Sequence, residues 1–158
     1  MRIEVSISSQ RLQVYAGQTQ VRDYLVSTAK NGAGELHGSE KTPRGRHYIR
    51  AKIGQDAHPN TVFVGRRATG EFYTPELRKS YPQRDWILTR IFWLSGLEVG
   101  KNRLGAVDTM RRYIYIHGSP DEVCMGEPGS RGCIRMRNEE IIDLFELIPV
   151  GTSLCISE

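Results

Sequence analysis

A chain of 158 residues has the length of one compact domain and can bury a core without disulfide or metal staples. Its 39% hydrophobic and 25% charged residues exclude a disordered chain, and no run approaches the ~20 apolar residues of a membrane span. The net charge of +4 conceals a bias: 17 of the 22 basic residues are arginine, the side chain suited to carboxylates and phosphates.

In chain order, Ile3, Val5 and Ile7 alternate with polar residues, and Leu12, Val14 and Ala16 do so again after Ser8-Ser9-Gln10, which predicts a β-hairpin. The opening residues lack the apolar run of roughly 7–15 residues that a secretory signal needs, so a cytoplasmic protein is expected. A third β-run covers Val21 to Ser27, and Lys30-Asn31-Gly32-Ala33-Gly34 reads as surface loop. Thr42-Pro43-Arg44-Gly45 is a turn that feeds a strand over Arg46 to Ile53. Thr61 to Val64 reads as a short strand and Pro75 to Ser80 as a helical turn. Trp86 to Leu97 fits a central strand or a buried helix by periodicity; Thr89, Ile91, Phe92 and Trp93 favour strand. Arg112 to Ile116 is a β-run ending at His117-Gly118, with Tyr113 and Tyr115 on one of its faces.

Asn138 is placed to cap a helix of about nine or ten residues. Glu139-Glu140 form its first turn, Ile141, Ile142, Leu144, Phe145 and Ile148 its apolar stripe, and Pro149 its stop. A closing strand covers Ser153 to Ser157. No repeat, low-complexity tract or linker divides the chain, so residues 1–158 are read as a single mainly β (α+β) domain.

Cys124, Cys133 and Cys155 form no disulfide framework. Cys124 reads as loop packing and Cys155, between Leu154 and Ile156, as core. Cys133 differs, because it follows Gly132 and lies 16 residues beyond His117, across a Gly/Pro-containing loop able to fold back on that strand. A thiol beside an imidazole can exist as a thiolate–imidazolium pair, and Arg131, Arg135 and Arg137 make its surroundings positive. Gly132 lets backbone approach a substrate, which makes the Gly132 and Cys133 amides candidate oxyanion donors. Spacing alone leaves two readings open, a nucleophile or an inert packing cysteine.

No C-x-x-C or H-x-x-x-H spacing occurs, and His37, His47 and His58 are scattered through loop-like sequence, so neither a metal nor another cofactor is expected. Despite a pI of about 9.1, the basic residues form no tract or helical face, and no nucleic-acid or membrane partner is expected. Arg22, Arg50 and Arg78 read as solvated charge; Arg111 and Arg112 stay undecided.

His117-Gly118, then Ser130-x-Gly132-Cys133-Ile134-Arg135, resembles the signature of the YkuD-type L,D-transpeptidase catalytic domain. The Thr42-Pro43-x-Gly45 turn, the opening hairpin and the closing helix and strand follow the same order. The resemblance implies a β-sandwich with one C-terminal helix packed against it. It implies that Cys133 attacks the carbonyl between an L-centre and a D-residue of a peptidoglycan stem peptide, giving a thioester. His117 is then the base, oriented by the Gly118 carbonyl, while Ser130, Arg131, Arg135 and Tyr115 are candidate substrate contacts. Arg131 departs from the family pattern, which has His at that position, and this puts substrate choice in doubt. The leading expectation is an L,D-carboxypeptidase that trims terminal D-alanine from murein tetrapeptides during recycling. The alternatives are an L,D-transpeptidase and an inactive muropeptide-binding module.

Overall fold

The computed structural model describes residues 1–158. Alternating apolar residues build the hairpin β1 (Arg2–Ser6) and β2 (Arg11–Ala16), with Ile3 opposite Val14 and Val5 opposite Leu12. An exposed edge strand, β3 (Thr19–Leu25), follows. Then come β4 (Gly45–Ile53), β5 (Thr61–Val64), β6 (Arg67–Phe72), the short helix α1 (Pro75–Ser80) and β7 (Ile87–Gly96). The chain ends with β8 (Tyr115–Gly118), β9 (Ile134–Met136), α2 (Asn138–Leu147) and β10 (Ser153–Ser157).

The strands form one sheet in the order β3-β2-β1-β10-β4-β7-β5-β6, from which β8 and β9 branch at β7. The closing strand is central, running parallel to β1 and antiparallel to β4. One cluster of 19 buried residues takes Ile3, Leu12 and Ile156 from one wing of the sheet, Phe92, Ile116 and Ile134 from the other, and Ile141, Leu144 and Phe145 from α2. The sheet therefore curls until its wings share a core with α2, which is the sandwich-plus-helix architecture expected. Neither helix is long and apolar enough to cross a membrane.

Trp86–Leu97 resolves as strand: β7 is buried along nearly its whole length and pairs with three other strands. Several local expectations are corrected. Asn138 does not cap α2. Arg137 holds that position, and Asn138 lies one residue inside, buried and bonded sideways to Thr89 and Asn60. Cys155 is exposed, because the two-residue strand period that sends Leu154 and Ile156 inward sends it out. Cys124 is exposed rather than packed. His47 belongs to β4, where it is buried between the Gly45 carbonyl and the Thr109 hydroxyl, not to a loop. The run before His117 starts only at Tyr115. Asp108 accepts from the Leu104 and Arg111 amides, turning residues 111–113 and leaving Tyr113 exposed with φ 56°. Tyr113 and Tyr115 therefore do not share a strand face, although Trp93 stands beside both rings.

Candidate active site

β8 and β9 run parallel, with Ile116 opposite Ile134 and His117 opposite Arg135. This register brings the His117 end of one strand beside the entry of the other, immediately after Gly132-Cys133. Between Leu88 and Ile91 the β7–β8 ladder is interrupted by a bulge directly across from His117 and Gly118, and Thr89 there has φ 73°. A β-branched residue in the left-handed region is a true outlier, and bulges of this kind re-aim side chains beside functional sites. The Thr89 hydroxyl donates to Asn138 Oδ1 at 2.6 Å and accepts from the Asn60 amide at 3.1 Å. Gly118 fits under this knot only because it has no Cβ, which would stand 2.5 Å from Asn138 Oδ1 and 2.6 Å from the Leu88 carbonyl.

His117 is fully buried, and its Nδ1–H donates to the Gly118 carbonyl at 2.6 Å. A carbonyl can only accept, so the proton is on Nδ1 and Nε2 carries a lone pair. Nε2 is buried and has no hydrogen-bond partner in the protein. Cys133 is half-buried, and its Sγ accepts from the Tyr115 amide at 3.3 Å. Cys133, Tyr115, Arg66, Asp85, Arg112 and Arg131 line one cleft of about 480 Å³. A hollow of about 280 Å³ over β1, β4 and β10 shares none of these residues.

The thiolate–imidazolium pair expected from the local arginines is not the resting state. Burial pushes the Cys133 thiol up to about 12, and the Asp85 carboxylate adds to this. The Tyr115 N–H, Arg135 and Arg112 oppose these effects without overcoming them. Burial also lowers the His117 imidazole below its ordinary 6.5. Near neutral pH both groups are uncharged.

The loop before Cys133 is fixed from several sides. Ser130 is buried; its hydroxyl donates to the Cys133 carbonyl at 2.5 Å and accepts from the Gly132 amide at 3.1 Å. Two expectations change as a result. Ser130 shapes the loop instead of facing substrate, and the Gly132 amide is already committed, leaving the Cys133 amide as the free donor. Gly132 itself has φ 131°, and a Cβ there would press on Ile114 at 3.1 Å. The Thr42 hydroxyl donates to the Gly132 carbonyl and accepts from the Ala29 amide, both at 2.9 Å.

The arginines sort by what they touch. Arg135 donates to the Gly129 carbonyl and pairs with Asp85, so its guanidinium is engaged within the protein. Arg131 lines the cleft but reaches out to the Gln83 carbonyl at 2.9 Å. Arg137 points to the Asp121 carbonyl, away from the thiol. Arg112 is undecided no longer: it donates to the Lys41 and Gly34 carbonyls and ties down the loop over Gly132. Arg22 and Arg78 form surface ion pairs. Sequence reasoning missed Arg66 and Asp85, which reach the cleft from chain segments far from either motif.

Comparison with known proteins identifies the family. The family model described as "YkuD: L,D-transpeptidase catalytic domain" matches residues 1–156. A putative L,D-transpeptidase YkuD of Bacillus licheniformis is 26% identical over 156 residues, 99% of this chain and 65% of its own. A putative L,D-transpeptidase YqjB of Bacillus subtilis is 45% identical over 53 residues, 34% of this chain and 30% of its own. Among solved structures, an Enterococcus faecium L,D-transpeptidase C442S mutant shares the fold with TM-score 0.60 at 16% identity, covering 98% of this chain and 48% of that one. The chain thus spans less than two thirds of the length of these relatives. It belongs to the YkuD L,D-transpeptidase catalytic domain family.

Proposed function

We propose that this chain is a cysteine acyl-transfer enzyme that opens the bond between an L-centre and a terminal D-alanine in peptidoglycan stem peptides. The observation that carries this reading is His117 Nε2, a buried lone pair fixed by the Nδ1–Gly118 anchor and bonded to nothing in the protein. It stands on the strand whose Tyr115 amide holds Cys133 Sγ.

Because thiol and imidazole both rest neutral, deprotonation accompanies attack. The thiol proton, which rests toward the Tyr113 carbonyl at 3.5 Å, turns to His117 Nε2 as sulfur bonds to the substrate carbonyl carbon, and the Cys133 amide donates to the developing oxyanion. His117 then returns the proton to the departing amine as the C–N bond breaks, leaving a thioester on Cys133. A second nucleophile cleaves the thioester, and its proton passes through His117 to restore the thiol.

We take water to be that nucleophile, which makes the protein an L,D-carboxypeptidase that converts tetrapeptides to tripeptides. The arginine-lined cleft suits a substrate with free carboxylates. The exposed free thiols of Cys124 and Cys155 suit a reducing compartment, so we place the activity in cytoplasmic muropeptide recycling. The test is incubation with a disaccharide tetrapeptide, with and without an amine acceptor, followed by mass spectrometry. Alanine loss in water is the expected result. Exchange only in the presence of the amine identifies a transpeptidase instead, and binding without turnover identifies a muropeptide-binding module.

A further inference from the structure

We infer that Arg66 docks a carboxylate of the substrate beside Cys133. This rests on the stem-peptide reading above and names the residue that recognises the peptide's charge. Arg66 lies in the two-residue turn between β5 and β6, where Gly65 has φ 56° and Arg66 φ 65°. Such turns favour Gly, Asn or Asp, because both central residues adopt the left-handed region. An arginine there carries a conformational cost, and strained residues of this kind cluster at ligand sites.

The side chain is held in place. Its Cζ lies 4.5 Å from the Trp93 ring centroid and 4.8 Å from that of Tyr113, and Nη1 donates to the Tyr115 hydroxyl at 3.0 Å. No carboxylate lies within ion-pair distance of it, and the bond to Tyr115 is its one hydrogen bond in the protein, out of five N–H donors. The other guanidiniums near Cys133 are drawn to protein carbonyls or to Asp85. Arg112 serves backbone carbonyls, Arg135 serves Gly129 and Asp85, and exposed Arg131 reaches Gln83.

Arg66 is therefore the cleft-lining guanidinium that aromatic contacts hold in position and that has neither a backbone carbonyl nor a carboxylate as its partner. A planar fork seated against the adjoining Trp93 and Tyr113 rings and tied to the Tyr115 hydroxyl has little freedom left to lose when it binds a carboxylate in bidentate fashion. The stem peptide offers two such groups, the C-terminal carboxylate of D-alanine and the side-chain carboxylate of diaminopimelate.

The experiment uses the Cys133→Ala protein, which reports binding without turnover. Three disaccharide tetrapeptides are titrated by calorimetry: the free acid, its C-terminal carboxamide and its diaminopimelate carboxamide. Arg66→Met, which keeps an apolar stem against Trp93 and Tyr113, is expected to weaken free-acid binding by about 10- to 100-fold, the range for a charged hydrogen-bonded pair. One carboxamide should weaken binding to the protein that retains Arg66 by a similar factor and show no further loss when Arg66→Met is added; that peptide identifies the docked carboxylate. Arg66→Lys should recover part of the loss, with thermal midpoints confirming that all variants fold. An equal loss for all three peptides makes Arg66 a brace for the aromatic wall and overturns the proposal. So does unchanged binding after Arg66→Met, or no binding of any peptide. A protein that binds in the expected pattern yet releases no alanine in wild-type form overturns the catalytic reading alone.

Discussion

The protonation of Cys133 and His117 decides how the first step runs. With the thiol pushed up to about 12 by burial, alkylation of Cys133 by iodoacetamide should be slow at pH 7 and should climb about 10-fold per pH unit through pH 9. Peptide mapping separates it from the exposed Cys124 and Cys155; a plateau below pH 8 would contradict the neutral-pair state. The imidazole acts as a base only when unprotonated, and burial lowers its pKa, so the acid limb of kcat/KM should lie below pH 6.5. A limb above that value would show a stabilised imidazolium. At this scale the sequence was informative about Cys133, His117 and Gly118, because a short motif carries their chemistry. Arg66 and Asp85 were not legible, since only the folded sheet brings β5–β6 and the start of β7 to the same cleft. The one local sign of Arg66 was a Gly-Arg pair between two short β-runs, and the second of those runs, β6, has too little alternation to read as strand.

The element that positions His117 is the β7 bulge with α2 behind it. Thr89, Asn60 and Asn138 form a buried chain of hydrogen bonds, with Asn138 Nδ2 donating to Asn60 Oδ1 at 2.9 Å. Removing Asn138 leaves the buried Thr89 hydroxyl proton and Asn60 Oδ1 without their partners, so Asn138→Ala should cost about 1–3 kcal/mol, read from urea unfolding. A change within error would show that the chain carries no weight. Gly118→Ala forces a methyl onto the Leu88 carbonyl and Asn138 Oδ1. It should lower kcat by about 100-fold, through a displaced His117, in a protein that still folds. Unchanged kcat would mean that this close packing does not position the imidazole. The hairpin, β4, α2 and β10 were readable from periodicity, turn and helix-stop signals, and β7 only from its β-branched and aromatic residues, since its periodicity fits strand and helix equally. β9 was not, because three residues cannot show a period, and the helix-start reading of Asn138 failed because a tertiary partner claimed its side chain.

Across the whole molecule, one core joins both wings of the sheet to α2, and buried histidines tie its stability to pH. Burial lowers His47 to about 4 from 6.5. The unfolded chain then binds the proton more readily than the folded one, so stability is full above pH 6.5 and is lost as pH falls toward 4. From pH 7 to pH 5 His47 alone should remove about 2 kcal/mol, and His117 acts in the same direction. Urea midpoints that are equal at these two pH values would contradict buried neutral histidines. The arginine excess also divides at this scale: Arg2, Arg11, Arg22, Arg44, Arg78, Arg84 and Arg135 are in ion pairs, and of the remaining ten Arg66, Arg112 and Arg131 line the cleft. The most direct test of the account is intact-protein and peptide mass spectrometry after mixing the protein with a disaccharide tetrapeptide and quenching in acid. Free alanine is expected together with a tripeptide-derived thioester on the Cys133 peptide, both lost in Cys133→Ala. Alanine release that persists in Cys133→Ala would contradict it.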